Sequence, residues 1–203
     1  MLTVGLTGGI ACGKSFVSEL FAKKGALIID LDQVAREIVQ PGTAAWSDII
    51  FVFGNDIVDK KGNIKRKELG QVVFNDERLR QKLNDITHGR IIKHVQKEMD
   101  KFYNNPKNRG KALIIVAPLL IESGMDKMVD KIIVIICKEE IQKRRLMLRD
   151  KITEEDSIKR IKAQLPLEEK AMYADFIIDN SYSPENTSKE VNEIWDRLMK
   201  GYS

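Results

Sequence analysis

Gly8-Gly9-Ile10-Ala11-Cys12-Gly13-Lys14-Ser15 constrains this chain more than any other stretch. It satisfies the pattern G-x-x-x-x-G-K-[S/T] in full, with an apolar run over 2–6 before it and an amphipathic stretch over 16–21 after it. Each residue type has a physical reason. Glycines let the backbone curl so that successive N–H groups point inward at phosphate oxygens. The start of the following helix adds the positive end of a dipole. Lys14 reaches β- and γ-phosphates as a mobile cation, and the Ser15 hydroxyl is placed to ligate Mg²⁺. Cys12 occupies a position that needs a small residue. It reads as a spacer, because nothing adjacent in sequence would act as its base.

A phosphate loop of this kind sits between a strand and a helix, and the rest of the chain carries the same alternation. Short β-branched apolar runs recur at 2–6, 26–29, 112–116, 132–137 and 176–178. Near-continuous apolar runs are what strands buried on both faces require. Their alternation with helical stretches predicts an α/β fold with a parallel sheet. The long interval between the second and third runs holds turn signals at Pro41-Gly42, Lys61-Gly62-Asn63 and Asn75-Asp76. The charged helical stretch 77–103 follows. The expected organisation is a nucleotide-binding core over 1–32, 106–137 and 171–203. A helical substrate domain over 33–105 and a charged helical lid over 138–170 are inserted into it.

Composition narrows the class. The chain has 203 residues, 43% of them hydrophobic and 32% charged, enough for a real core. A net charge of +4 suits a protein that handles phosphates and falls well short of a dedicated nucleic-acid binder. Lys, Arg, Asp and Glu are interleaved, and no aromatic stacking platform stands out, so no nucleic acid is expected. Two cysteines, without a CxxC pair, point to a reducing cytoplasm. The first residues lack a basic segment and a long apolar segment, so no signal peptide is expected. Apolar runs stay under about ten residues, far below the roughly 20 that span a bilayer, so no membrane partner is expected.

Carboxylates that could do chemistry follow the second strand. Asp30 and Asp32 lie at i and i+2, which in an extended chain project to one side, at the carboxyl edge where open α/β sheets bind ligands. One could take a proton from a hydroxyl and the other hold Mg²⁺; the alternative is a pair of helix-capping aspartates, with a helix beginning near Gln33. The third strand runs into Ala117-Pro118-Leu119-Leu120-Ile121-Glu122, with no Asp at its end and Glu122 as a weaker metal candidate. In the lid, Gln142, Arg145 and Arg149 fall on one helical face, and Arg160 and Gln164 repeat that logic. Such arginines can close over a triphosphate. Equally, with Glu139, Glu140, Glu154, Glu155 and Asp156 nearby, the segment can be a solvated charged face.

Taken together, the motifs resemble the dephospho-CoA kinase family along nearly the whole chain. The likeness runs from Leu6-Thr7-Gly8-Gly9-Ile10 through Asp30-Leu31-Asp32-Gln33-Val34-Ala35-Arg36. Pro41-Gly42, Phe53-Gly54, Gly62, Arg66, Leu69, Val73-Phe74 and His88 follow in order. Pro118-Leu119-Leu120-Ile121-Glu122, the lid residues, Lys170, Ala174-Asp175 and Asn180 complete it. The resemblance implies a three-layer P-loop nucleotide-kinase core with a helical substrate-binding insertion and a helical lid. It implies transfer of the ATP γ-phosphoryl group to the ribose 3′-hydroxyl of dephospho-CoA, with ATP and Mg²⁺ as cofactors.

By position it assigns Asp32 as the catalytic base, with Lys14 and Arg145 as catalytic cations. Arg36, Arg66 and His88, with Asp32, fall on the substrate side. The loop through Phe16, together with Arg149 and Asn180, falls on the nucleotide side, and Ser15 and Asp30 on the metal. A monomer is expected. Two departures stand out. Phe16 replaces a hydroxyl residue while leaving Ser15, and Gly89 stands where the family has a proline after the histidine. The rival readings are a nucleoside or nucleotide kinase of the same fold and a non-catalytic nucleotide switch. The guanine-reading Asn-Lys-x-Asp tetrad of such switches is absent from the sequence.

Overall fold

The computed structural model describes residues 1–201, and of Phe74 and Asn75 it describes only the backbone, so the Phe74 side chain named above lies outside the described residues. The chain forms two compact units, Met1–Asp30 with Phe102–Ser203 and Leu31–Lys101.

The first unit is built on strands β1 (Leu2–Gly8), β2 (Leu27–Asp30), β3 (Ala112–Val116), β4 (Lys131–Ile136) and β5 (Phe176–Asp179). They form one sheet in the order β2-β3-β1-β4-β5, and each neighbouring pair is parallel. β1 lies at the centre with β3 on one side and β4 on the other. The chain therefore changes direction of winding beside the carboxyl end of β1, the place where open parallel sheets bind ligands.

All seven residues of β1 are buried, and their side chains alternate between the two faces of the sheet. Leu2, Val4 and Leu6 join a core with Val17 and Phe21 of helix α1 (Lys14–Lys23) and with Val191, Ile194 and Leu198 of helix α9 (Pro184–Met199). Each such side chain contributes about 1.5–3 kcal/mol on burial. The ring of Phe21 stands 6.2 Å from that of Trp195. On the other face, Thr7 donates to the Pro118 carbonyl at 3.3 Å. Gly5 leaves room for Leu120, whose side chain a Cβ at residue 5 would strike. That is why an apolar strand and the Pro118–Leu120 stretch occur together.

Between β4 and β5 the chain forms α6 (Glu139–Asp150), α7 (Glu154–Lys162) and α8 (Leu167–Ala171). Thr153 starts α7 by accepting a hydrogen bond from the Asp156 amide at 3.2 Å.

The second unit contains α2 (Leu31–Glu37), α3 (Ala44–Phe53), α4 (Arg66–Asn75) and most of α5 (Glu77–Asn104). Ile49, Ile57 and Leu69 form its core, with Val39, Phe53, Ile64, Val73, Leu83 and Ile86 packed around them. Thr43 caps α3, and the Trp46 indole donates to the Gly62 carbonyl at 2.7 Å. The unit begins at Leu31 and ends at Lys101, whereas the sequence pattern had suggested edges at 33 and 105. Helix α2 starts directly after β2, and Phe102 near the far end of α5 is buried in the first unit. Among the described residues, no helix is long and apolar enough to cross a membrane.

Candidate active site

The loop from Gly8 to Ser15 joins β1 to α1 at the centre of the sheet. Gly8 has φ 149°, and a Cβ there would strike the Ile135 carbonyl of β4. Gly13, at φ 96°, precedes the first residue of α1, and a Cβ there would strike the Asn180 amide. Both positions therefore require glycine. Lys14 turns back over the loop and donates to the Gly8 and Gly9 carbonyls, each at 2.9 Å. Ser15 is exposed in the first turn of α1, and Phe16 beside it is half-buried. The amides at this helix start form the positive end of the helix dipole, which is the physical basis of a phosphate cup.

Residues far away in sequence brace the loop. Gln142, buried in α6, donates to the Ile10 carbonyl at 2.8 Å. The Ile10 amide donates to the Gln164 side-chain oxygen at 2.7 Å. Asn180 donates to the Cys12 carbonyl at 2.8 Å and accepts from the Thr187 hydroxyl at 2.9 Å. Asn180 thus has both ends of its amide engaged and acts on the loop itself. The Cys12 sulfur meets that of Cys137 at 3.1 Å.

The lid face predicted for Gln142, Arg145 and Arg149 divides into three roles. Gln142 is turned into the loop. Arg145 is half-buried, and its Nη1 is buried with no hydrogen-bond partner. A buried guanidinium nitrogen without a partner is costly, and an anion would satisfy it. Arg149 pairs with Asp150 at 2.8 Å, and Arg160 reaches the same carboxylate at 2.6 Å. These two pairs hold the Asp150 carboxyl below its usual range, with Arg149 the stronger influence.

Glu122 is engaged as well. Its carboxylate accepts from the Leu165 amide at 3.2 Å and lies 2.8 Å from the ammonium of Lys170. Lys170 is fully buried and also donates to the Pro118 carbonyl at 2.7 Å. Glu122, the weaker metal candidate of the sequence pattern, ties the stretch after β3 to α8 and to the segment that precedes it.

Asp30 is the last residue of β2, at the carboxyl edge of the sheet. Asp32 lies in the first turn of α2, because the helix begins at Leu31, two residues before the sequence pattern suggested. The pair therefore does not share one extended segment, and the i, i+2 geometry does not apply to it. Within the second unit, Arg66 is held below its usual range by burial and by the neighbouring Arg36 guanidinium. His88 is exposed on α5.

The family model described as dephospho-CoA kinase matches residues 2–186. The chain belongs to the dephospho-CoA kinase family. It is 42% identical to the dephospho-CoA kinase of Geobacillus kaustophilus over 202 residues, covering 98% of this chain and 99% of that one. It is 39% identical to that of Listeria innocua over 197 residues and 97% of each chain. The solved structure of the Campylobacter jejuni dephospho-CoA kinase superposes with a TM-score of 0.74 at 30% identity, covering 99% of this chain and 98% of that one.

Several contacts of this dephospho-CoA kinase family member were not legible from its sequence. Gln164 shares a helical face with Arg160 and Lys170 belongs to the family likeness, but nothing local shows what either one touches. Only the burial of Lys170 and the reach of Gln164 to Ile10 do so. Cys137 closes an apolar run that reads as plain strand, with no sign that it meets Cys12.

Proposed function

We propose that the chain is an ATP-dependent dephospho-CoA kinase. It transfers the γ-phosphoryl group of ATP to the 3′-hydroxyl of the dephospho-CoA ribose, giving coenzyme A and ADP. A complete phosphate loop, braced by Gln142 of α6, by Gln164 between α7 and α8 and by Asn180 just after β5, in a chain that matches this family over residues 2–186, is the observation that carries the reading.

In this reading the loop amides and the start of α1 hold the β- and γ-phosphates, and Lys14 and Arg145 neutralise the charge that develops on them. Arg149 contributes from the lid. Asp32 accepts the proton of the ribose hydroxyl, whose oxygen attacks the γ-phosphorus as the bond to the β–γ bridging oxygen breaks. Arg36 and Arg66 bind anionic groups of the CoA precursor, with His88 as a further substrate contact. Asn180 serves the nucleotide through the loop.

Ser15 and Asp30 are the residues that would hold Mg²⁺. A hydroxyl and a carboxylate are the hard oxygen donors that Mg²⁺ takes. Among the described residues there is no cluster of three or more His, Cys, Asp or Glu, which fits an ion bound largely through phosphates and water. When bound, the ion would screen the negative charge of the phosphates.

We read the protein as a cytoplasmic monomer that binds no nucleic acid. Its two cysteines are free thiols, and one chain supplies every role named above.

The test is ADP release with dephospho-CoA as acceptor, with and without EDTA, followed by mass analysis of the product. Coenzyme A formed only with Mg²⁺ is the expected result. Equal turnover with nucleoside monophosphates would transfer the assignment to a nucleotide kinase.

A further inference from the structure

Cys12 and Cys137 are 125 positions apart in sequence, yet their sulfurs lie 3.1 Å apart. Both are free thiols in the structure. A disulfide has its sulfurs at about 2.05 Å, so roughly 1 Å of approach separates this pair from a bond. One sulfur belongs to the phosphate loop; the other stands just past the end of β4. Cys12 is 0% exposed and Cys137 6%. Cys137 also lines a cavity of about 470 Å³ with Gln142, Ile161, Gln164 and Leu167, so a small oxidant would approach from its side of the pair. The pairing with Cys12 and the Arg145 guanidinium hold the Cys137 thiol below its usual range. The same pairing, with burial, pushes the Cys12 thiol far up. Cys137, the thiol that lines the cavity, is the nucleophile, and the fully buried Cys12 is the resolving thiol.

We propose that Cys12 and Cys137 form an oxidation site, in which a peroxide converts the pair to a disulfide that deforms the phosphate loop and switches off triphosphate binding. The Cys137 thiolate attacks one peroxide oxygen and the O–O bond breaks. Sulfur is oxidised to the sulfenic acid, and the departing hydroxide takes a proton to become water. The Cys12 sulfur then attacks the Cys137 sulfur, the S–O bond breaks, and the thiol proton leaves with the hydroxyl as a second water. Two thiols and one peroxide thus yield one disulfide and two waters.

The loop has little freedom to absorb the contraction. The Cys12 carbonyl is held by Asn180, Ala11 sits at φ 60°, and Ile10 is gripped by Gln142 and Gln164. Drawing the Cys12 side chain toward β4 must therefore tilt the loop's amides away from the phosphates.

The test uses the full chain treated with hydrogen peroxide, then freed of it with catalase. Intact mass, a non-reduced peptide map and affinity for a fluorescent ATP analogue are read before and after dithiothreitol. The inference rests on triphosphate binding by the loop, and the mass readouts are independent of it. The expected result is a loss of two hydrogen masses and a peptide joining Cys12 to Cys137. ATP affinity should weaken by roughly tenfold or more, as a ~1 Å misplacement of binding groups predicts, and dithiothreitol should restore it. Cys137→Ala should bind ATP as the untreated wild type does and keep that affinity through peroxide. Cys12→Ser should stop at a Cys137 sulfenic acid that dimedone traps, which keeps the idea testable if Cys137→Ala folds poorly. Absence of the joined peptide would overturn the proposal. So would its formation with unchanged ATP affinity, or equal loss of affinity in Cys137→Ala.

Discussion

Gln142 and Gln164 hold opposite edges of one loop residue. Gln142 donates to the Ile10 carbonyl at 2.8 Å, and Gln164 accepts from the Ile10 amide at 2.7 Å. The two glutamines therefore use opposite ends of the same functional group, and a single substitution separates them. A glutamate at 164 keeps the acceptor that the Ile10 amide needs. A glutamate at 142 loses the donor and sets a buried carboxylate against a carbonyl oxygen. Gln164→Glu should retain ATP affinity within a few-fold, whereas Gln142→Glu should weaken it about tenfold or more, the ~1.4 kcal/mol scale of one lost buried hydrogen bond. Titration with ATP measures both.

The Lys170–Glu122 pair predicts an asymmetry in stability. Lys170 is fully buried, while the Glu122 side chain is 24% exposed. Glu122→Ala strands an ammonium in the interior and should cost roughly 3 kcal/mol, in line with removal of one partner from a buried pair. Lys170→Met leaves a carboxylate that water still reaches and should cost clearly less. Urea unfolding midpoints give the comparison.

Arg145 carries a buried Nη1 with no hydrogen-bond partner, so it contributes little to the stability of the unliganded protein. Arg145→Ala should leave the melting temperature of the ligand-free protein unchanged or higher. It should reduce the upward shift that ATP produces and lower kcat/KM by about tenfold to a hundredfold. Thermal melts with and without ATP, alongside kinetics, test both halves.

Asp32→Asn should reduce kcat by about 10²–10⁴, the usual contribution of a positioned base, while ATP affinity changes little. Lys14→Ala should abolish transfer altogether. Normal turnover in Asp32→Asn would remove Asp32 from its assigned role.

Gly89 lies inside the unbroken 28-residue helix α5, and a Cβ built there meets nothing within 4 Å. Gly89→Ala should stabilise the protein by about 0.5–1 kcal/mol, through helix propensity alone. A higher urea midpoint with unchanged kcat is the expected measurement.

The loop over 8–15, the five strands and the helical nature of the intervening stretches were determined by the sequence itself. Each depends on residue types within a few positions of one another: the glycines of the loop and apolar runs of strand length. Family membership was legible for the same reason, since its motifs are short and ordered along the chain. Even locally there were limits. Helix α2 begins at Leu31 and not near Gln33, because the chain passes from strand to helix without a linking turn.

Tertiary structure alone decided how the loop is held. Gln164 meets Ile10 across 154 positions, Asn180 meets the Cys12 carbonyl across 168, and Cys137 meets Cys12 across 125. The strand order β2-β3-β1-β4-β5 puts the end of β4 beside that of β1 and the end of β5 next after it, and with them side chains that no local pattern connects. It likewise placed Lys170 in the interior with Glu122, where its charge had to find a partner, and not on the solvated face that its neighbours in sequence suggest.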